Sequence, residues 1–403
     1  MTNTFATCTI IAKEALAILE NMLTFSANVN REWEDEFTSN MSRGYAPNTT
    51  INIKRPPRYQ YRAGRVAVPQ GTTESTIPLT LQQGGCDLNF LGVERTLSVT
   101  KMEKKIRAAL ATVANEIDRQ GLDLARTATF NTLGTPGTAP TTQALALAAV
   151  TNLNQRLDEM AAPRDDMRTL IMNPALNGAM VQGFAGLFNA QSVLEKQFRR
   201  GVMVDSLGLA YAMDQNVAVH TNGTQAVTGT NVNGAGQTGS AITVVALGGT
   251  ITKGTKVTLP GSFAVNPQSR VSTGVLAQFT ITADVAGGAT SLPISPAIVT
   301  SGPFQNVTAS PTTGAAFTIF GTASGSYSAN VAFHEDAFTL AMVPMYAPAN
   351  GKGVIDVATE SYKGMNIKVT EFYDGVNDNY IMRLDVLFGW AATYPELSVL
   401  HAL

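Results

Sequence analysis

Lys54, Arg55, Arg58, Arg62 and Arg65 crowd one short stretch of the chain, with Tyr59 and Tyr61 set among them. Cationic groups interleaved with aromatic rings suit two kinds of chemistry. One is contact with nucleic acid, by phosphate pairing and base stacking. The other is docking onto carboxylates of a neighbouring subunit. Glu32, Glu34, Asp35 and Glu36, with Trp33 and Phe37 between them, form an acidic patch suited to that role. The chain carries 28 basic and 30 acidic residues, a formal net charge of −2. A dedicated nucleic-acid binder is normally basic. The reading therefore favours subunit contact, with Lys54, Arg55, Arg58, Arg62 and Arg65 facing Glu32, Glu34, Asp35 and Glu36.

Other residues of chemical interest lack the context that their chemistry needs. Gly234, Gly236 and Gly239 match G-x-G-x-x-G, but a dinucleotide site requires a buried strand before the motif and a helix after it. Here a polar Thr/Asn run precedes it and the strand-like AITVVAL follows. Gly249 and Gly254 have phosphate-loop spacing, yet Thr255 stands where the lysine belongs. His334-Glu335-Asp336 has no second histidine or nucleophile motif beside it and reads as an exposed strand end or turn. Asp165-Asp166 follows Pro163 and reads as a solvated loop pair. Cys8 and Cys86 build neither a disulfide framework nor a four-ligand zinc site. The chain is therefore expected to be no enzyme, with no cofactor and no metal.

The elements that would position these residues follow from composition and period. The 403 residues suggest two or three folding units. Only 14% are charged, against ~25% in an ordinary globular chain, so little repulsion keeps copies of this chain apart. No apolar run approaches the ~18 residues of a membrane span. The N-terminus lacks a leading basic residue, and Lys13-Glu14 interrupts its first apolar stretch, so no signal peptide is expected. A soluble protein of a reducing cytosol is the simplest expectation.

Ile10–Leu23 has a helical apolar stripe. Thr49–Tyr59 alternates and stops at Pro56-Pro57, as a strand running into an extended segment. The stretch from Arg62 to Leu91 reads as a projecting β-hairpin arm, with alternation at Ser75–Leu81. Over Lys101–Phe130, Met102, Ile106, Leu110, Val113 and Ile117 recur at helical spacing, giving a rod of about 40 Å. After a Gly/Thr/Pro break come a helix near Gln143–Met160, a strand at Arg168–Asn173, a helix opened by Pro174 and an amphipathic piece at Ser192–Arg200. Between Asn222 and Asn330 only Lys253, Lys256, Arg270 and Asp284 are charged, and short alternating runs separated by turns predict a small all-β insertion. Met365–Phe372 and Tyr380–Phe388 read as a hairpin, and the tail GWAATYPELSVLHAL as a closing strand in a sheet.

This order of parts, with TTINIKRPPRY, VERTLSV and the ending RLDVLFGWAATYPELSVLHAL, resembles the major capsid proteins of tailed bacteriophages with the Hong Kong 97-type fold. It looks most like the coat proteins of short-tailed phage P22, which carry an inserted domain. The resemblance implies an α+β fold: an N-terminal helix and arm (1–44), an extended β loop (45–98), a peripheral domain with its spine helix (99–139 and 351–403), an axial domain (140–221 and 331–350) and an inserted all-β domain (222–330). It implies a coat protein that self-assembles as pentamers and hexamers into an icosahedral shell around double-stranded DNA. Scaffolding and portal proteins are the implied partners, DNA is bound weakly and non-specifically, and no membrane is involved. Assembly is implied in the bacterial host cytoplasm, and the product is a virion capsid. The other reading weighed is a β-rich surface, decoration or adhesion protein.

Overall fold

The computed structural model describes residue 13 and residues 23–33, 50–59, 61, 64–67, 69–71, 75–91, 102–184, 205–346, 354–362 and 365–403. Nearly all of the helix expected over Ile10–Leu23, the acidic residues 34–36, Arg62, Cys8 and the piece expected over Ser192–Arg200 lie outside the described residues. The chain divides into two units, one from 1–53, 77–121 and 339–391, the other from 54–76, 122–338 and 392–403.

In chain order, β1 (Thr50–Arg55) and β2 (Ser75–Thr80) pair with each other, and β3 (Gln82–Leu91) leads towards helix α1 (Met102–Ala128). Then come β4 (Thr132–Gly134), α2 (Gln143–Glu159), β5 (Arg168–Met172), α3 (Pro174–Phe184), β6 (Ala210–Met213) and β7 (Val219–Thr221). The insertion holds β8 (Thr228–Asn231), β9 (Gly239–Thr243), β10 (Lys256–Val265), β11 (Ser272–Ile281), β12 (Ser291–Ile298) and β13 (Ala316–Ile319). The chain closes with β14 (Ser326–His334), β15 (Thr339–Met342), β16 (Val354–Tyr362), β17 (Met365–Asp374), β18 (Asn379–Ala391) and β19 (Ser398–Ala402).

In the first unit β18 is the organising strand. It pairs antiparallel with β17, with β15 along Phe388–Ala391, and with β3 along Asn379–Phe388. The β17–β18 turn is the expected hairpin, and Asp374 stabilises it by accepting from the Val376 backbone N–H at 3.0 Å. On α1, Leu110, Val113, Ala114 and Ile117 are buried while Glu116 and Arg119 face solvent, the one-sided pattern that a 3.6-residue period produces. Ile53, Leu79, Ala341, Val343 and Ala391 form a small core beside the β1–β2 pair.

The second unit carries two sheets. In the α/β sheet the order is β4-β19-β14-β5-β6, with β7 also paired to β14. β5 and β19 are buried at every position and β14 at all but its first, as strands covered on both faces must be. Thr142 caps α2 by accepting from the Leu145 N–H, and Asn173 does the same for α3 with Leu176 at 2.8 Å. Pro174 opens α3, where its missing N–H costs nothing. The insertion is a six-stranded sheet ordered β8-β13-β10-β11-β12-β9 around Val257, Leu259, Phe279, Ile281, Leu292 and Phe317. Its two ends are adjacent, since Thr221 pairs with Ser326 and the Asn222 N–H donates to the Gly325 carbonyl at 2.9 Å.

Three expected boundaries shift. Residues 326–330 belong to β14 and hence to the α/β sheet, although their low charge continues that of the insertion. β15 joins the sheet of the first unit, not the α/β sheet. β4 and β19, expected with the spine helix, lie together in the α/β sheet. Composition marks where charge density changes, whereas strand membership depends on pairing partners far away in the chain.

Candidate subunit-contact surface

The basic segment begins where β1 ends. Pro56 and Pro57 have no backbone N–H and hold the chain extended, so pairing stops at Arg55 and Arg58 follows in the extended segment. Both turn to one acid of their own chain. Arg55 donates through Nη2 to Glu396 Oε2 at 3.3 Å, and Arg58 through Nη2 to Oε1 of the same carboxylate at 3.2 Å. Arg55 Nε also donates to the Thr393 carbonyl at 2.7 Å. The Arg55 guanidinium lies 5.1 Å from the Tyr394 ring centre, and that of Arg58 lies 5.8 Å from Phe304.

Those two arginines were expected to meet residues 32–36 of a neighbour, and the acid they contact here is Glu396. Nothing in the YPEL run announces this, because the pairing arises only when the closing turn Pro395–Leu397 comes back beside β1. Lys54 and Arg65 are exposed, as is Glu32, while Arg62, Glu34, Asp35 and Glu36 lie outside the described residues. Beyond Pro57 the segment presents Tyr59, Tyr61 and Val66 at 53%, 95% and 80% exposure. The Arg270 guanidinium holds its start by donating to the Tyr59 carbonyl at 3.1 Å.

Two buried charged residues organise the spine helix: Asp118, expected on its polar face, and Lys256, noted only as one of the insertion's few charges. Asp118, on its buried face, accepts from the backbone N–H groups of Thr24, Phe25 and Ser26 at 2.7, 3.2 and 3.0 Å, and from the Ser26 hydroxyl. Phe25 then stacks on Trp390, with ring centres 5.3 Å apart. Gly121 makes room for both rings: a Cβ there would lie 2.6 Å from Trp390 and 2.8 Å from Phe25.

At the C-terminal end of the helix, about two turns beyond Asp118, Lys256 of β10 is fully buried. Its Nζ donates to the Arg126 carbonyl at 2.8 Å and to Thr280 Oγ1 at 3.0 Å. Burial, and next the Arg126 charge, pull its ammonium well below the usual lysine range. Arg126 itself pairs with Asp123 and contacts His220 Nδ1 at 2.8 Å. Burial, then the Arg126 and Lys256 charges, pull the His220 imidazole down to about 4. Gln278 donates to and accepts from the Thr132 backbone, at 2.9 and 2.7 Å, as a strand partner would. Lys256, one of four charged residues in a charge-poor insertion, was the one available signal for this cluster.

The residues weighed for catalysis take structural positions. His334 is 2% exposed, not the exposed turn residue expected, and its Nε2 lies 3.0 Å from both Asp165 carboxylate oxygens. That contact, first among several, holds the Asp165 carboxyl below its usual range. Asp165, read with Asp166 as a solvated loop pair, is exposed, and it also ties its loop to the end of β14. Gly234 and Gly236 have positive φ in the turn before β9, and the Gln237 side chain fills that turn with hydrogen bonds to Asn233, Gly234 and Thr243. Among the described residues no cluster of three or more His, Cys, Asp or Glu side chains is arranged to hold a metal ion. Among the same residues no helix is long and apolar enough to cross a membrane.

Comparison with known proteins gives a family. No curated protein matches the sequence. Among solved structures the chain is similar to one from Mycobacterium phage Che8, at 12% identity over 94% of this chain and 90% of that one, TM-score 0.48. It is similar to the mature capsid of bacteriophage PhiM1, at 9% identity over 88% and 82%, TM-score 0.42. It is also similar to a virus-like particle from Pyrococcus furiosus, at 9% identity over 97% of both chains, TM-score 0.42. The family model for P22 coat protein, gene protein 5, matches residues 86–400, a span that takes in the spine helix, the α/β sheet and the insertion together. The chain belongs to the P22 coat protein family: it is a non-enzymatic major capsid protein of the α+β, Hong Kong 97-like fold, and it forms the shell.

Proposed function

We propose that copies of this chain assemble as pentamers and hexamers into an icosahedral shell around a tailed phage's double-stranded DNA. A scaffolding protein and a portal protein are its partners, and assembly takes place in the bacterial host cytoplasm. The observation that carries this reading is the segment after Pro57, where Tyr61 and Val66 stand almost wholly in water beside Arg65. Large side chains projecting together call for a covering partner, and in a shell each copy covers the next through repeated contacts. The contact set is Lys54, Arg55, Arg58, Arg62 and Arg65 against Glu32, Glu34, Asp35 and Glu36 of a neighbour, with Arg55 and Arg58 shared between Glu396 and that neighbour. A net charge of −2 gives DNA little to bind, which suits packing and ejection.

Purified protein viewed by negative stain, alone and after co-expression with a scaffolding protein, tests the proposal. Closed shells or polyheads, narrowing to one size with the scaffold, are the expected result. Monodisperse subunits under both conditions would overturn it.

A further inference from the structure

We propose that the second unit contains a binding cavity for an amphiphilic monocarboxylate, an apolar chain or ring ending in one carboxylate. The cavity has a volume of about 310 Å³. At ~30 Å³ per water-sized group it holds about ten non-hydrogen atoms, and it sits at the small end of ordinary ligand sites. Buried side chains form its floor, among them Phe130, Met160, Phe279 and Val307. An apolar floor of this kind favours hydrocarbon over water.

Two features select the polar end of the ligand. Among the described residues the only charged ones lining the cavity are Arg55, Arg58 and Glu396, so in the unassembled subunit, before a neighbour's acids meet them, two guanidiniums share one carboxylate and one positive charge is left over. Each guanidinium presents five N–H donors in a planar fork suited to a second carboxylate. Asn131 also lines the cavity, is 2% exposed, and its Nδ2 has no hydrogen-bond partner among the described residues. A buried donor without an acceptor is costly, and a ligand oxygen beside it removes that cost.

The same lining argues against a peptide from a neighbouring copy. Every peptide unit carries an N–H and a C=O, and each costs a few kcal/mol if buried without a partner. An acyl chain brings no such groups to an apolar floor.

Octanoate, with ten non-hydrogen atoms, is the probe, titrated calorimetrically into purified unassembled subunits against octanol and octyltrimethylammonium. The expected result is saturable binding of one octanoate per chain, at least tenfold tighter than octanol, with no binding of the cation. Arg58→Gln should weaken octanoate about tenfold and leave octanol unchanged. Ala277→Phe, which fills the cavity, should abolish binding. Because that variant alters a packed position, a photoreactive diazirine analogue of octanoate gives a second measure on the unaltered protein. It should label peptides containing Phe130, Asn131 or Met160. Equal binding of octanoate and octanol, labelling elsewhere, or a polypeptide segment filling the cavity in a map of assembled shells would overturn the proposal.

Discussion

Lys256 places its buried ammonium on the Arg126 carbonyl, in the last turn of the spine helix, across 130 residues of sequence. The C-terminal carbonyls of a helix have no partners within it and carry partial negative charge. The inserted domain thus caps the helix that precedes it, and Thr280 extends the cap by donating to the Thr127 carbonyl at 3.1 Å. The insertion is fastened to the body of the second unit by side chains, in addition to the two strands through which the chain enters and leaves.

Lys256→Met should therefore destabilise the subunit by about 1–3 kcal/mol, the cost of leaving buried acceptors without a donor. Hydrogen exchange should rise in the last turn of α1, and thermal denaturation should show a lower Tm. An unchanged exchange pattern there would mean that the cap is not what orders the helix end.

Gly121→Ala sets two effects against each other. Alanine favours a helix interior by about 1 kcal/mol over glycine. Its Cβ would, however, meet the Trp390 and Phe25 rings at 2.6 and 2.8 Å, and overpacking costs about 1–3 kcal/mol. The expected sign is a lower Tm, with Trp390→Phe restoring part of it in the double variant.

Asp118→Asn should release the N-terminal segment. The carboxylate accepts from three backbone N–H groups and one hydroxyl, whereas an amide offers one oxygen and turns a donor towards the others. Charge-assisted bonds are worth about 1.5–3 kcal/mol each when removed. Limited proteolysis should cut within residues 23–30 much faster than in the unaltered protein, while the far end of α1 keeps its exchange protection.

Acid should weaken the second unit through two histidines. Burial, with Arg126 and Lys256 adding to it, pulls His220 down to about 4, and burial alone does the same to His401. Both are neutral when folded, so the unfolded chain takes up more protons below pH 6.5. Their contribution is fully present above pH 6.5 and is lost as the pH falls towards 4, by up to about 3 kcal/mol each. Denaturant midpoints from pH 7 to 5, before most carboxylates titrate, should fall in the unaltered protein and flatten in His220→Gln and His401→Gln.

Charge reversals in the basic segment should separate folding from assembly. Arg55→Glu sets a carboxylate against Glu396 and should lower both Tm and shell yield. Arg65→Glu, on an exposed side chain, should leave the stability within about 0.5 kcal/mol of its original value and reduce shell yield measured by sedimentation. Normal shells from Arg65→Glu would remove it from the contact set.

Much of the fold was legible in local pattern. The 3–4 spacing of Leu110, Val113 and Ile117 defined α1, the alternation around Asp374–Asn379 defined the β17–β18 hairpin, and Pro174 marked the first residue of α3. Each of these signals is contained within a few turns or one hairpin. His334 illustrates the opposite case: its neighbours in sequence, Glu335 and Asp336, suggested exposure, but β14 runs through the middle of a sheet and carries it inside, where Asp165 meets it.

What the chain determined by itself was its periodicities, its charge-poor insertion, its near-neutral balance and the order of parts that points to a capsid subunit. These depend only on residue types at short spacing. Which acid holds Arg55 and Arg58, which carbonyl receives Lys256, and which sheet takes β15 and β19 were decided by tertiary structure. Each of those contacts joins segments far apart in the chain, and a charge states its need for a partner without naming one.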